Sequence, residues 1–314
     1  MLYYGENMHK DFLFFNYSFV KNSTFLFESF AKKGHTIDII DEKTLRPFAD
    51  NILKHGPEHT YKNVVLYLHE NDTIPITNHL INNYFQDAFL IQHDTTDHEH
   101  VQIWSNRKPD LIMQRELTDQ TVNMWPHTPI EPFHFVIDSL RDPEAEKDGR
   151  PIDIFFMANM TNIRRRPFNE HVLKLSEGNL KHLNWALNFE DWNPHGGLQS
   201  DAFKYSANRC KIGLHYFGNS YDAWRIWQLA SCKAGIIMPK MRNKSVSEEH
   251  MPFTDYCVIQ DDFQDLEDKI VYMLENERYK DYGERAYKDY NENHKPDVYF
   301  DKYYYPTIME YASE

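Results

Sequence analysis

The sequence predicts an α/β fold made of two Rossmann-like domains, and three observations carry that expectation. Short apolar runs alternate with helix-length amphipathic segments through both halves of the chain, the pattern of parallel strands joined by helices. The stretch 205–239 spells the unit out: an apolar run at 212–217, a polar turn Gly218-Asn219-Ser220, a helix over 222–233, a stop at Gly235 and a second apolar run at 236–238. A charged passage over 141–150 closes on Gly149-Arg150-Pro151 and reads as the linker between two such domains. A chain of 314 residues is long enough for both.

In the first half, residues 1–4 read as an opening strand. Asn22-Ser23-Thr24 offers caps for a helix over 25–33, and Gly34 is a good stop for it. Strands follow at 36–40, 63–68, 88–91 and 109–114, with a sixth at 123–126 among the prolines Pro126, Pro129 and Pro132. Pro75 suits the first turn of a helix running to 85. In the second half, 152–156 (IDIFF) is a strand, and Arg164-Arg165-Arg166-Pro167 leads into a helix to 175. A strand at 181–187, a polar loop at 190–200, a helix at 201–206 and amphipathic helices at 261–275 and 278–290 complete the text. No Gly-x-Gly-x-x-Gly is present, so a dinucleotide-binding fingerprint is not expected.

Composition narrows the class. Hydrophobic residues make up 41%, which is globular, and the formal net charge is -14. That charge disfavours duplex DNA as a partner without excluding a local basic groove. The 15% of aromatic residues is assigned to core. Three cysteines, Cys210, Cys232 and Cys257, sit in apolar text and read as reduced core thiols, hence a cytoplasmic protein. Their spacing makes no zinc site. No secretory leader is expected, and no apolar run is long enough for a membrane span.

Two sets of residues point to chemistry. A turn that leaves a parallel strand and opens a helix lies where open α/β sheets bind ligands, and the helix N-terminus offers N–H groups to an anion. Ser220 or Asp222 is placed to cap that helix, Arg225 lies one turn in, and Gln228 follows at i+3. Arg164, Arg165 and Arg166 follow another strand end, and Lys211 is a further cation. The second set is the stretch 92–100, with His93, Asp94, Asp97, His98, Glu99 and His100. It reads as a polar loop that supplies a general base, ahead of a metal site, and level with an incidental solvated loop. Glu6, His69, Glu70 and Asp72 end neighbouring strands. For each residue the plain alternative is a solvated side chain.

The text Cys210-Lys211-Ile212-Gly213-Leu214, then Arg225-Ile226-Trp227-Gln228-Leu229-Ala230, then Ala234-Gly235-Ile236-Ile237 resembles the C-terminal domain of GT-B fold glycosyltransferases. It is most similar to the spore-maturation-protein (CgeB-like), group 1 glycosyltransferase branch. Phe253-Thr254-Asp255-Tyr256-Cys257-Val258-Ile259 and the helical text after it fit the same pattern. Gln228 departs from it, since many relatives carry a glutamate there that holds the donor ribose.

The resemblance implies two domains facing a cleft (GT-B type). An acceptor domain would span 1–150, a nucleotide-sugar domain 151–295, and a helix over 296–314 would cross back to the first. It implies transfer of a sugar from a nucleotide-diphosphate sugar to an acceptor hydroxyl in the cleft, with no cofactor and no metal. Donor-side residues would be Arg164, Arg165, Lys211, Ser220, Tyr221, Arg225 and Gln228. Asp94 or His93 would be the base, with Glu6, His69 and Asp97 on the acceptor side. The acceptor, whether glycan, protein, small molecule or modified nucleobase, is left open. The alternatives are an epimerase of the same fold, a non-catalytic binding protein on this scaffold, and a metal-dependent hydrolase built on the histidine-rich stretch.

Overall fold

The computed structural model describes residues 8–16, 22–68, 74–94, 103, 105–115, 117, 119–133, 137–147, 149–158, 165–189, 201–216, 224–240 and 256–312. The chain divides into two compact units, Met1–His134 with Phe300–Glu314, and Phe135–Tyr299.

The first unit holds a six-stranded sheet. Its strands are β1 (Met8–Asn16), β2 (Ile37–Asp41), β3 (His59–Leu68), β4 (Phe89–Asp94), β5 (Leu111–Gln114) and β6 (Ile130–Pro132). They lie in the order β2-β1-β3-β4-β5-β6, and every pairing is parallel. Helices α1 (Asn22–Lys32), α2 (Glu42–His55), α3 (Ile74–Tyr84) and α4 (Asp119–Met124) join them.

The sheet is covered on both faces, so the central stretches of its strands are apolar. Phe12, Leu13, Phe14 and Phe15 are all buried. Leu13 and Phe15 join Leu45, Ala49 and Ile52 of α2 and Leu80 and Ile81 of α3 in one core. Phe14 stacks on Phe27 of α1 with ring centroids 4.3 Å apart, and Phe12 meets Phe30 at 4.7 Å. Phe30 also meets Phe300 at 5.3 Å and Tyr305 at 5.5 Å.

Several expectations change here. Residues 1–4 lie outside the described residues, and the strand Met8–Asn16 was not anticipated, because Lys10 and Asp11 interrupt its apolar text. Helix α2 was missed as well, since Pro47 lies inside it. Asp41 compensates with a capping box: its side chain accepts from the backbone N–H of Lys43 and Thr44, and Thr44 Oγ1 accepts from the Asp41 N–H. The sixth strand, expected at 123–126, is Ile130–Pro132, and the text before it is α4. Gln92, His93 and Asp94 are not loop residues. They are the last three positions of β4, and all are buried.

The second unit holds β7 (Ile152–Met157), β8 (Trp185–Asn188), β9 (Cys210–Leu214), β10 (Gly235–Pro239) and β11 (Cys257–Ile259), in the order β11-β10-β9-β7-β8, again all parallel. Its helices are α5 (Pro143–Lys147), α6 (Arg166–Glu177), α7 (Asp201–Arg209), α8 (Trp224–Ser231), α9 (Leu266–Leu274), α10 (Arg278–Asp289) and α11 (Pro296–Tyr299).

The period-two alternation of a strand sorts the side chains into two cores. Phe155, Met157, Ile236 and Met238 face the core that holds α8 and Tyr290. Ile154, Phe156, Ile237 and Ile259 face the core of α6 and α9. After α11 the chain makes a π-helical turn, Phe300–Tyr304, and ends in α12 (Tyr305–Ala312), which belong to the first unit.

The passage over 141–150 packs onto the second unit. Leu140 N–H donates to Ser231 Oγ at 3.1 Å, Asp142 N–H donates to Asn208 Oδ1 at 2.7 Å, and Arg141 pairs with Glu146. Arg150 reaches the carbonyls of Cys210 at 2.6 Å and Cys232 at 2.7 Å, tying the start of β9 to the residue after α8.

Helix α10 packs so close to Lys233-Ala234 that a Cβ on Gly283 would overlap the Lys233 carbonyl oxygen. Gly283→Ala is therefore expected to destabilise the second unit by about 1–3 kcal/mol. Thermal unfolding of the variant checks this, and an unchanged midpoint would show that α10 can shift freely.

Candidate functional site

In an open parallel sheet the ligand crevice lies at the carboxyl ends of the strands where the strand order reverses. In the second unit that point is between β7 and β9, which are adjacent although β8 separates them in sequence. Three side chains lie just past these strand ends. Arg165 precedes α6, the helix that follows β7. His215 follows β9 directly, with its N–H donating to the Ile237 carbonyl at 2.9 Å. Arg225 is in the first turn of α8, the next helix.

All three are buried, and Arg225 is only 8% exposed. Among the described residues Arg225 makes no ion pair. Its Nε has no hydrogen-bond partner, and its guanidinium lies 6.0 Å over the Phe203 ring. Burial, and then the charge of Arg165, push its pKa down to about 9, so it is still a cation at neutral pH. Neither ring nitrogen of His215 has a hydrogen-bond partner among the described residues. Burial first, and then the charges of Arg225 and Arg165, hold its pKa well below the usual histidine value, so the ring is neutral.

A buried guanidinium with no ion pair among the described residues, as at Arg225, makes a site for an anion, and guanidinium groups suit phosphate oxygens. The backbone supports this one. Ile226, Trp227, Leu229 and Ala230 of α8 are fully buried, which holds Arg225 at the strand ends. Gln228, one turn further on, is 3% exposed, and its carbonyl accepts from Ser231 Oγ at 2.8 Å.

The other expected donor residues divide. Arg166 is exposed, with Nε 3.5 Å from Glu170 Oε1, so of the arginines described in that run only Arg165 faces inward. Lys211 is corrected. It is near the start of β9, at the opposite end of the strand from His215, and its Nζ lies 2.6 Å from Asp153 Oδ1. A lysine there is neutralised by its neighbour and lies away from the ligand end of the sheet. Arg164, Ser220 and Tyr221, and Asp222 with them, lie outside the described residues. His215 was not singled out from sequence. Its one signal was its place straight after a buried strand, and 17 histidines in the chain dilute such a signal.

In the first unit His93 and Asp94 close β4 and are fully buried. His93 lies among Tyr67, Phe133 and Tyr304, and its Nε2 is 2.9 Å from the Tyr304 hydroxyl. Burial lowers its pKa to about 3. These are the surroundings of a packed core histidine. A group this enclosed and this weakly basic is a poor general base at neutral pH, and the catalytic expectation for His93 is withdrawn on that ground. Asp94 stands opposite Gln114 of β5, and its carbonyl accepts from the Arg115 N–H at 3.1 Å.

Glu6, His69, Glu70, Asp72, Asp97, His98, Glu99 and His100 lie outside the described residues. Among the described residues no group of three or more histidine, cysteine or carboxylate side chains is placed to hold a metal ion, and no helix is long and apolar enough to cross a membrane.

Comparison with solved structures gives the fold a context. The chain is similar to a sucrose-phosphate synthase from Thermosynechococcus elongatus, at a TM-score of 0.60 and 8% identity over 97% of this chain and 100% of that one. It is similar to an alpha-glucosyltransferase solved with UDP and a 13-mer DNA containing an HMU base, at 0.58 and 12% identity over 97% and 100%. It is also similar to HepE from Anabaena, solved with UDP, at 0.56 and 8% identity over 96% and 100%. The fold is that of GT-B glycosyltransferases. No family model and no curated protein matches the sequence.

Two expectations follow. Arg225→Met removes a buried charge that no described residue offsets, so it should leave the unliganded protein as stable as before or more stable, by up to about 4 kcal/mol. A large fall in the unfolding midpoint would make Arg225 a structural residue. His93, whose pKa is depressed on folding, binds its proton only in the unfolded chain between about pH 3 and pH 6.5, so stability should rise with pH across that window and level off above it, by at most ~1.4 kcal/mol per pH unit. His93→Gln should flatten that slope in equilibrium unfolding measured from pH 4 to pH 8.

Proposed function

We propose that the protein is a glycosyltransferase that takes a sugar from a nucleotide-diphosphate sugar. The observation that carries the reading is Arg225, a buried guanidinium with no ion pair among the described residues, set beside Arg165 and His215 at the switch point of the second sheet. A diphosphate supplies the missing negative charge. The sequence resemblance and the fold both support a nucleotide sugar as the bearer of that diphosphate. The solved neighbours bound to UDP support uridine as the first base to try.

In this reading Arg165 and Arg225 hold the diphosphate, and Arg164, Ser220 and Tyr221 belong to the same donor site. Gln228, an uncharged donor and acceptor, meets the ribose or sugar hydroxyls. Asp94 is retained as the base that activates the acceptor hydroxyl. The nucleotide sugar is a co-substrate, and no resident cofactor or metal takes part. The reduced thiols Cys210, Cys232 and Cys257, all buried, go with a cytoplasmic location. A net charge of -14 argues against duplex DNA as this chain's acceptor, although one neighbour was solved with DNA.

The test is calorimetric titration with UDP-, GDP-, CDP- and ADP-sugars, preceded by a thermal-shift screen. One nucleotide sugar is expected to bind and to raise the unfolding midpoint. Arg225→Ala should weaken it by about 2–3 kcal/mol, roughly 30- to 150-fold, the worth of a charge-assisted hydrogen bond to phosphate. If no nucleotide binds, the donor reading is wrong and a non-catalytic scaffold is favoured. Turnover of the bound donor with no acceptor present would favour the epimerase.

A further inference from the structure

Three histidines of the described chain are fully buried, and they differ in one respect. His93 has the Tyr304 hydroxyl at 2.9 Å. His294 has Asp289 Oδ2 at 3.3 Å and stacks on Trp227 at 3.6 Å. His215 has no hydrogen-bond partner on either ring nitrogen among the described residues. A buried polar side chain left unsatisfied is costly, and a histidine kept only for packing acquires a partner.

The position of His215 accounts for the exception. The ring follows β9 at the switch point, and the charged groups acting on it are Arg225 from α8 and Arg165 from the start of α6, with no carboxylate among them. In the empty site a proton on the ring would be a third buried cation, so the ring stays neutral. A diphosphate brings two negative charges into the same place. An opposite charge at short range favours the protonated imidazole, and the imidazolium then donates a hydrogen bond that a lone arginine pair lacks.

Resting on the donor reading above, we propose that His215 is a third ligand of the donor diphosphate and that it takes up a proton from solvent when the nucleotide sugar binds. One N–H bond forms on a ring nitrogen, the proton comes from water or buffer, and nothing is oxidised or reduced. The loaded site therefore carries one more positive charge on the protein than the empty one. Binding is tighter in acid than in base across the range between the ring's free and bound protonation points.

A nucleotide sugar is the right probe, because its diphosphate is fully ionised and silent near neutrality, whereas a free nucleoside diphosphate titrates in the same range. UDP-, GDP-, CDP- and ADP-glucose are offered in turn. The one that binds is titrated calorimetrically at pH 6.0 in MES and in bis-Tris, which differ in ionisation enthalpy. The difference in observed heat between the two buffers counts the protons taken up.

The wild type is expected to take up most of one proton, and its affinity is expected to fall by up to tenfold per pH unit from pH 5.5 to 7.5. His215→Gln is expected to keep its unliganded unfolding midpoint, to bind several-fold more weakly, and to take up no proton. Equal heats in the two buffers for the wild type overturn the proposal without touching the donor reading, as does uptake that persists in His215→Gln. If none of the four sugars binds, the donor reading falls and the proposal falls with it. The wild-type buffer comparison and pH profile stand alone should the variant fail to fold.

Discussion

The constraint on which the second unit turns is the burial of a guanidinium that has no ion pair among the described residues. Taking one charge out of water and leaving it unpaired is among the costliest things a fold can do. Arg225 is held there because its helix has no other place to go. Ile226, Trp227, Leu229 and Ala230 are buried on every side. Gly213 lets α8 lie directly on β9, where a Cβ would come within 2.6 Å of the Leu229 methyl groups. Arg150 ties the residue after α8 to the start of β9, and Leu140 is tied to Ser231, the last residue of the same helix. The packing of an otherwise apolar helix thus supplies the stability that the charge takes away. A bound anion would offset that cost, which is the physical basis of the proposed donor site.

The two units share one plan and spend it differently. Both are parallel sheets covered on both faces. In the first unit the polar residues at the end of β4 are drawn into the interior, and an aromatic cluster closes over His93. Its ring is neutral, partnered and enclosed. In the second unit the residue after β9 is equally buried, but among the described residues the charged groups acting on it are two arginines and its ring has no hydrogen-bond partner. Burial and a low pKa are therefore common to both histidines. What separates the two is that one ring nitrogen of His93 has a partner, whereas among the described residues neither nitrogen of His215 has one.

Much of the plan was legible in the text. The alternation of apolar runs with amphipathic segments located the second sheet closely, because a strand buried on both faces is apolar throughout. β7 and β10 fall where that text places them, and β11 lies in the 253–259 stretch that the family resemblance points to. Arg165, Arg225 and Gln228 were also visible, as polar residues following strand ends. The misses have identifiable causes. Lys10 and Asp11 hid β1, though Lys10 is paired to Asp38 on the neighbouring strand at 2.7 Å. Pro47 hid α2, though the Asp41 cap outweighs it. Polarity alone made 92–94 look like a loop.

By itself the sequence determined the fold class, most of the second unit's strands and helices, and a set of candidate cations there, because periodicity and turn chemistry are local properties. Which of those cations share a site was decided only by the tertiary structure. Strand pairing puts β7 beside β9 and so brings Arg165 to Arg225 and His215 across some sixty residues of chain. The same pairing puts Asp153 beside Lys211 and removes that lysine from the site. Charge compensation and hydrogen-bond satisfaction are properties of neighbours in space, and no window of sequence contains them.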